Sequence, residues 1–261
     1  MLSSGDIRAM LRRGEATVGT WLQIPSPDAA EVIGRLGYDW PGQDMEHGAF
    51  TRAHLPDMFR ALERWGTLPF VRLPEATMRN IKDALDSGAQ GLIFPMIESR
   101  AQLDRAIAWS LYPGGAEFGD GRRGVGFSRA NAYGLDFAEQ ANAGERQGRA
   151  ADIVLVAQIE HRNALDQLDA IFSHPRLDAC MVGPYDLSAS MNLTGRFDQP
   201  EFLAALAAIE ERAAARGLAR GYHVVQPDSG ELRRKIAAGY TFLAYGLDTL
   251  FLRRGGARPE V

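Results

Sequence analysis

The chain has 261 residues, of which 46% are hydrophobic and 24% are charged, a composition typical of soluble globular proteins rather than disordered or fibrous ones. Barrels of the α/β class reach this length as one domain, so we predict a single domain over residues 1–261. The 29 Lys and Arg residues are scattered among 33 Asp and Glu residues, which excludes the basic surface of a nucleic-acid-binding protein.

Sequence signals for a cellular compartment are few. Cys180 is the single cysteine, so no intrachain disulfide can form. Residues 1–17 lack the apolar core of a signal peptide, and no apolar run approaches the roughly 18 residues of a membrane helix. We therefore expect a cytoplasmic protein without a membrane partner.

Short apolar runs rich in β-branched residues alternate with amphipathic helical segments along the chain, a pattern typical of parallel βα units. Eight runs predict strands, at residues 19–24, 38–44, 69–73, 91–95, 153–160, 179–183, 219–225 and 241–246. Eight is the strand number of a (β/α)₈ TIM barrel, which is the fold we predict. An open, doubly wound parallel sheet is the alternative.

Two stretches depart from this rhythm. Pro41, Gly42 and Gln43 lie inside the second predicted strand, where a proline removes a ladder hydrogen bond. We therefore expect this strand to be kinked, shortened or bulged. Residues 112–149 are rich in Gly, Arg and Ala and contain no clear strand, and such long loops in compact domains are usually functional or mobile.

Polar residues follow the fifth and sixth predicted strands, at the barrel end where TIM-barrel active sites lie. Gln158 and Glu160 are two residues apart and therefore share one face of their strand. Asp186 follows a Gly183-Pro184 turn, beyond which backbone amides can hold a carboxylate. Two carboxylates on adjacent strand ends indicate an oxygen site for Mg²⁺ or Mn²⁺. Alternatively, Glu160 forms a salt bridge inside the barrel and Asp186 caps the next helix.

Two further strand ends carry polar groups. Arg72 ends the third strand, and its planar guanidinium suits an oxyanion of a substrate or a carboxylate of the core. Asp44, Glu46 and His47 follow the second strand, and a carboxylate beside a histidine can fix its tautomer for acid–base chemistry. A solvated loop histidine is the alternative. His223 follows the seventh strand and could face the barrel mouth, and the favoured alternative is a barrel histidine with satisfied hydrogen bonds.

Seven segments, in this order and spacing, resemble the HpcH/HpaI family of metal-dependent pyruvate aldolases. They are DMEHG, FVRLPE, LDSGAQGLIFPMIES, GRRGVGFSRANAYG, VAQIEHRNAL, MVGPYDLSASM and GYTFLAYGLDTLFL. The resemblance covers residues 15 to 253. It implies a TIM barrel that forms or cleaves 4-hydroxy-2-keto acids from pyruvate and an aldehyde, through a pyruvate enolate. It also implies a divalent metal and no Schiff-base lysine, in agreement with the absence of Lys from the predicted strand ends.

The resemblance implies which residues bind the metal and the keto acid. Glu160 and Asp186 are similar to the family's metal ligands, for Mg²⁺, Mn²⁺ or Co²⁺, and Gln158 to a neighbour of the bound keto acid. The turn that would receive the pyruvate carboxylate is formed by Gly183, Pro184, Tyr185 and Asp186.

The catalytic groups are implied in the same way. Arg72 resembles the residue that stabilises the enolate oxygen, and His47 resembles the acid–base residue, oriented by Asp44. Asp86 resembles an acidic residue that family members present to a neighbouring subunit's site, which implies a homo-oligomer, either a trimer or a hexamer. Arg123, in the long segment, is a candidate for binding an acidic or sugar-like aldehyde, and a surface arginine without such a role is the alternative.

Two other functions are open on the sequence alone. In one, decarboxylation of oxaloacetate generates the same enolate for a biosynthetic carbon–carbon bond-forming synthase, a role that an altered second strand and a long loop would suit. In the other, the chain is a non-catalytic protein that binds metal and pyruvate.

Overall fold

The eight predicted strands form a closed parallel barrel in which each strand pairs with its sequence neighbours and the first pairs with the eighth. The computed structural model describes residues 2–113, 121–135, 152–256 and 258. The strands are β1 Thr17–Leu22, β2 Trp40–Asp44, β3 Phe70–Arg72, β4 Gly91–Phe94, β5 Val154–Ile159, β6 Ala179–Val182, β7 Ala219–Val224 and β8 Phe242–Leu247. The prediction of a (β/α)₈ TIM barrel is confirmed, and the open sheet is wrong.

Helices alternate with the strands and cover the outside of the barrel. They are α1 Ser4–Arg12, α2 Pro27–Arg35, α3 Leu55–Glu63, α4 Met78–Ser87, α5 Arg100–Ser110, α6 Leu168–Phe172, α7 Pro184–Ser190, α8 Pro200–Ala215, α9 Ser229–Ala237 and α10 Asp248–Gly255. Local sequence sets where they begin: the Ser26 hydroxyl accepts the Ala29 N–H, and Pro27 occupies the first helical position of α2. Within the described ranges, none of the helices has the length and apolarity needed to cross a bilayer.

Aromatic rings fill the barrel interior. The Trp40 and Phe242 rings stack with their centroids 4.1 Å apart, and the Phe70 ring lies 5.4 Å from that of Trp40. Gly19 on β1 leaves room for this stack, since a Cβ there would lie 2.2 Å from the Trp40 ring. Because side chains alternate along a strand, the next inward-facing residues lie at the C-terminal mouth, above this apolar floor.

Strand β2 is regular, so the expectation of a kinked, shortened or bulged strand is wrong. Pro41 pairs in register with Thr20 of β1, and Gly42 pairs with β3 on the other side. Proline lacks only its own N–H, and the ladder continues on both sides of it. Gly42 also accommodates the Trp21 ring, from which an added Cβ would be 2.7 Å distant. The regular register places Asp44 opposite Arg72.

The long segment at residues 112–149 lies partly outside the described residues. Its described parts, 112–113 and 121–135, contain a short 3₁₀ helix at Arg129–Gly134 and no strand, as predicted. Arg129 forms an ion pair with Glu63 of α3 and donates a hydrogen bond to the Ser87 carbonyl at the end of α4. This part of the segment therefore packs on the outer helices.

Candidate active site

The polar residues that follow the strands meet around a cavity of about 350 Å³ at the C-terminal mouth of the barrel. Side chains from both halves of the barrel surround it. Its lining includes Trp21, Gln23, His47, Arg72, Gln158, Gly183, Pro184, Tyr185, Asp186 and His223. The structure therefore brings together most of the residues that the sequence predicted for the site.

Arg72 and Asp44 form a bidentate ion pair beside this cavity. Arg72 Nε lies 2.9 Å from Asp44 Oδ1, and Nη2 lies 2.6 Å from Oδ2. The Asp44 carboxylate is completely buried, and Gln23 Nε2 donates a further hydrogen bond to it at 2.9 Å. Burial alone would raise the pKa of Asp44, but hydrogen bonds and charge from Arg72 outweigh it and hold the pKa below its usual value. Arg72 is thus fixed as a cation by a core carboxylate while it lines the cavity.

Asp44 also shapes the turn that carries His47. Its Oδ1 accepts the backbone N–H groups of Glu46 at 3.2 Å and of His47 at 3.1 Å. The sequence implied that Asp44 orients His47, and the contact in the structure is made at the His47 backbone, while Arg72, Gln23 and these amides occupy the carboxylate oxygens. The carboxylate beside the ring belongs to Glu46, whose Oε2 lies 4.0 Å from His47 Nε2 and 3.4 Å from Arg72 Nη1. Asp44 therefore positions His47 through its backbone.

Glu160 is buried beneath the mouth, with 1% of its surface exposed. Its Oε1 accepts the Met96 N–H at 2.8 Å, and its Oε2 accepts Gln158 Nε2 at 2.6 Å. Burial raises the pKa of Glu160 to about 7, and the charges of Glu46 and Asp186 contribute in the same direction. No cationic side chain in the described part of the chain forms a salt bridge with Glu160, so that alternative is wrong.

The turn between β6 and α7 brings Asp186 close enough to Glu160 for the two carboxylates to interact electrostatically. Gly183 precedes Pro184, the first residue of α7, and Asp186 lies exposed in the first helical turn. A Cβ on Gly183 would be 2.3 Å from Glu160 Oε2, so glycine is what permits the close approach of turn and carboxylate. The Asp186 side chain makes no hydrogen bond to residues that the structure describes, which leaves it available to a ligand rather than serving as a helix cap.

The donor set at the mouth fits a divalent cation. Glu46, Glu160 and Asp186 interact electrostatically, and burial together with the other carboxylates raises the pKa of Glu46 as well as that of Glu160. Gln158 Oε1 is buried and has no hydrogen-bond partner among the described residues. Within those residues, no three His, Cys, Asp or Glu side chains converge closely enough to hold a metal alone. A cation held by Glu160 and Asp186 would therefore complete its shell with water and substrate oxygens, as Mg²⁺ commonly does.

Asp86 and Arg123 lie away from this chain's mouth cavity. Asp86, near the end of α4, lines a separate surface cavity of about 330 Å³ with Arg52 and Lys82. Arg123 is buried, with Nη2 donating to the Leu85 carbonyl at 3.3 Å. The prediction that Arg123 binds the substrate therefore finds no support within this chain, and the role of Asp86 toward a neighbouring subunit stays a prediction.

Three residues of the site were missed at the sequence level. Gln23, which supports Asp44, follows β1 and could have been found by inspecting the end of that strand as the others were inspected. Met96 donates its backbone N–H to Glu160, and the type of its side chain could not have indicated this contact. Asp248 accepts the N–H groups of Gln23 and Ile24, at 3.0 Å and 2.9 Å, and so fixes the end of β1.

The fold and site together define a TIM-barrel enzyme whose mouth combines acidic groups with a fixed arginine. The sequence profile of the HpcH/HpaI aldolase/citrate lyase family matches residues 17–254, and the chain belongs to this family. It is an aldolase, a carbon–carbon lyase.

Similar proteins agree with this class. The chain is 33% identical over 256 residues to a hydroxypyruvate/pyruvate aldolase from Paraburkholderia phytofirmans, covering 96% of this chain and 94% of the relative. It is 32% identical over 249 residues to a 2-keto-3-deoxy-L-rhamnonate aldolase from Escherichia coli K12, covering 95% of this chain and 89% of the relative. The crystal structure of an HpcH/HpaI aldolase/citrate lyase family protein from Burkholderia cenocepacia superposes with a TM-score of 0.88 at 30% sequence identity. The superposition covers 97% of this chain and 96% of that protein's chain.

Proposed function

We propose that this protein is a divalent-metal-dependent aldolase that forms or cleaves 4-hydroxy-2-keto acids, with pyruvate as the enolate partner and an aldehyde as the acceptor. The observation that carries the proposal is the position of buried Glu160 under the Gly183 turn, with Asp186 and Arg72 at the same cavity. Relatives named as aldolases of pyruvate and of a keto-deoxy acid support this substrate class.

Glu160 and Asp186 are the proposed holders of the cation, which would be Mg²⁺, Mn²⁺ or Co²⁺. Such a cation, when bound, supplies Lewis-acid stabilisation of negative charge on a keto-acid oxygen. Gln158 lies beside the bound keto acid, and its free Oε1 accepts a hydrogen bond from a water or substrate hydroxyl. The residues Gly183, Pro184 and Tyr185 form the part of the cavity wall that receives the pyruvate carboxylate, beside the backbone amides at the start of α7.

Arg72 stabilises the negative charge that develops on the keto oxygen when pyruvate loses a methyl proton. Its guanidinium is already charged and oriented by Asp44, so it needs no reorganisation as the charge develops. Trp21 packs against the guanidinium, whose Cζ lies 4.6 Å from the ring centroid, and restricts its movement from the other side. These contacts make Arg72 a fixed positive group at the reacting end of the cavity.

His47 is the proposed acid–base group for the aldehyde oxygen. In the synthetic direction His47 takes a methyl proton from pyruvate, the resulting enolate carbon bonds to the aldehyde carbon, and His47 returns the proton to the alkoxide oxygen. In cleavage, His47 removes the proton from the 4-hydroxyl group, the carbon–carbon bond breaks to release the aldehyde, and His47 returns the proton to the enolate carbon to give pyruvate. The ring lies at the cavity wall with about half of its side chain exposed, where it can exchange protons with solvent.

The oxaloacetate-decarboxylating synthase is the less favoured function. The synthase was considered because the second strand was expected to be altered, but β2 is a regular strand and places Asp44 opposite Arg72. The non-catalytic alternative requires lost acid–base geometry, whereas His47 and Arg72 both line the cavity.

We propose in addition a cytoplasmic homo-oligomer, a trimer or a hexamer, in which Asp86 acts at a neighbouring subunit. The half-buried position of Asp86 in an outer cavity with Arg52 and Lys82 supports a role outside this chain's own barrel.

Cleavage assays test the proposed function. Metal-stripped protein is supplied with Mg²⁺, Mn²⁺ or Co²⁺ and a 4-hydroxy-2-keto acid, and released pyruvate is measured by coupled reduction to lactate. Metal-dependent pyruvate release that is lost in Glu160→Ala supports the proposal. Carbon dioxide release from oxaloacetate, without cleavage of any hydroxy-keto acid, would instead support the synthase.

A further inference from the structure

His223 lines the mouth cavity from β7, a strand that supplies none of the residues assigned to catalysis or metal binding. The side chain is partly buried and follows Ala219 and Gly221 on the inward face of its strand. Val225, two residues further along, lines the same cavity. His223 therefore places a polar ring in a part of the wall that Val225 and Met181 otherwise make apolar.

The hydrogen bonding of His223 determines which ring nitrogen carries its proton. Nε2 lies 3.2 Å from the carbonyl oxygen of Gly246 on β8. A carbonyl oxygen can only accept, so Nε2 must be the protonated nitrogen and Nδ1 must carry a lone pair. Burial lowers the pKa of His223 to about 4, so the ring is neutral near pH 7. No residue in the described part of the chain forms a hydrogen bond with Nδ1.

The ring is held in this orientation from two sides. The Gly246 carbonyl fixes one edge, and the Trp21 ring lies edge-to-face at 6.0 Å between centroids. Trp21 also packs on the Arg72 guanidinium, so His223 lies one aromatic side chain away from the reacting end of the cavity. His223 and Arg72 line the same cavity, with Trp21 between them. When the carbonyl carbon of an aldehyde reacts near Arg72, the substituent of that aldehyde can therefore reach His223 Nδ1.

We propose that His223 Nδ1 accepts a hydrogen bond from a hydroxyl group of the acceptor aldehyde, so that the cavity selects hydroxylated aldehydes over their deoxy analogues. This inference rests on the proposed aldolase function. A neutral imidazole with its proton on Nε2 offers an acceptor and no second donor to the cavity. A hydroxyl satisfies this acceptor, whereas a methyl group leaves it unpaired inside a largely apolar wall.

Two aldehydes that differ by one hydroxyl group test the inference. The ratio of kcat/KM for glycolaldehyde to kcat/KM for acetaldehyde, each with pyruvate and Mg²⁺ or Mn²⁺, is measured for the wild-type protein, His223→Leu and His223→Gln. Each ratio compares two substrates on one protein, so losses of folded protein or of enolate formation cancel. We expect His223→Leu to lower the ratio by about three- to tenfold, as loss of one neutral hydrogen bond predicts. His223→Gln retains an acceptor oxygen and should retain more of the ratio than His223→Leu.

Val225→Ala is the matched control, because it enlarges the same wall without changing any hydrogen-bonding group. An unchanged ratio in His223→Leu would overturn the inference, and so would an equal fall in Val225→Ala, which would indicate cavity shape alone. Equal falls in the Leu and Gln variants would likewise contradict it and favour a packing role beside Trp21. Wild-type protein that joins pyruvate to neither aldehyde and exchanges no pyruvate methyl protons would overturn the proposed function, and this inference with it.

Discussion

Arg72 binds both carboxylate oxygens of Asp44, at 2.9 Å and 2.6 Å, at a point where Asp44 is completely buried. The register between β2 and β3 sets the two residues side by side. The same carboxylate accepts the amides of the turn that carries His47. One buried acid thus positions the Arg72 guanidinium, which we propose stabilises the enolate, and the turn that bears His47, the proposed acid–base group.

Replacing Asp44 by Asn should destabilise the protein and impair catalysis together. Asn retains one acceptor oxygen but leaves the Arg72 charge buried without its counter-charge, a loss of about 3–5 kcal/mol in comparable cases. Urea unfolding measures the stability change, and aldol cleavage measures the activity. Asp57→Asn is the matched control, since its ion pair with Arg60 is exposed and should contribute at most about 1 kcal/mol. Equal stability of the two variants would contradict this description of the Asp44 pair.

Replacing Gly183 by Ala should displace Glu160 and weaken metal binding. The new Cβ would lie 2.3 Å from Glu160 Oε2, so either the carboxylate or the turn must move. We expect about a tenfold or greater loss of metal affinity, measured by titrating Mn²⁺ into metal-stripped protein. Gly255→Ala in α10 is the control, because a Cβ there meets no atom within 4 Å. Metal affinity equal to wild type in Gly183→Ala would show that this close approach is unimportant.

Stability of the metal-free protein should depend on pH through Glu160. Its folded-state pKa of about 7 lies above the ordinary value of 4.5, so the folded state holds the proton more tightly than the unfolded chain. This contribution to stability is fully present below about pH 4.5 and is lost as the pH rises to about 7, for a total of about 3 kcal/mol.

The experiment compares urea unfolding of wild-type protein and Glu160→Gln in a chelator, between pH 5 and pH 8. The difference between the two proteins cancels the titration of groups that do not interact with Glu160 and reports Glu160 together with Glu46, whose charge acts on it. His174 and His223, whose pKa values burial lowers to about 4, act with the opposite sign, because their stabilisation is lost as the pH falls below about 6.5. Parallel pH profiles of the two proteins would refute the assignment of a raised pKa to Glu160.

Replacing His47 by Asn should remove aldol turnover while leaving the fold intact. The side chain is 54% exposed, so the stability change should be within about 0.5 kcal/mol. Loss of a general acid–base group typically lowers the rate by about 100-fold or more. Cleavage rates and urea unfolding on the same preparation separate the two effects. Activity within a factor of two of wild type would exclude His47 as the proton-transfer group.

The barrel and most of its mouth could be predicted because they depend on local pattern. Because side chains alternate along a strand, Gln158 and Glu160 must share one face of β5. Eight consecutive βα units predict a closed TIM barrel. The expectation that Glu160 and Asp186 lie at one site required only that their strands be neighbours, as they are, and their role as metal ligands stays a prediction.

The errors concern relationships that a linear pattern does not contain. Pro41 suggested a disrupted strand, but the ladder tolerates one missing donor when the register is fixed on both sides. The resemblance implied that Asp44 orients His47, but it did not indicate that Arg72, 28 residues away, binds both carboxylate oxygens of Asp44. The position of Arg123 depends on how a long segment packs on α4, which composition does not determine.

Exchange of the pyruvate methyl protons for deuterium, followed by NMR in heavy water, tests the central claim most directly because it requires no aldehyde. Metal-stripped protein is compared with protein given Mg²⁺ or Mn²⁺, and with Glu160→Ala treated in the same way. We predict exchange that requires the metal and disappears in Glu160→Ala, as expected if this site forms a pyruvate enolate. No exchange with any divalent metal, or equal exchange in Glu160→Ala, would contradict the assignment of Glu160 and its neighbours as the enolate-forming site.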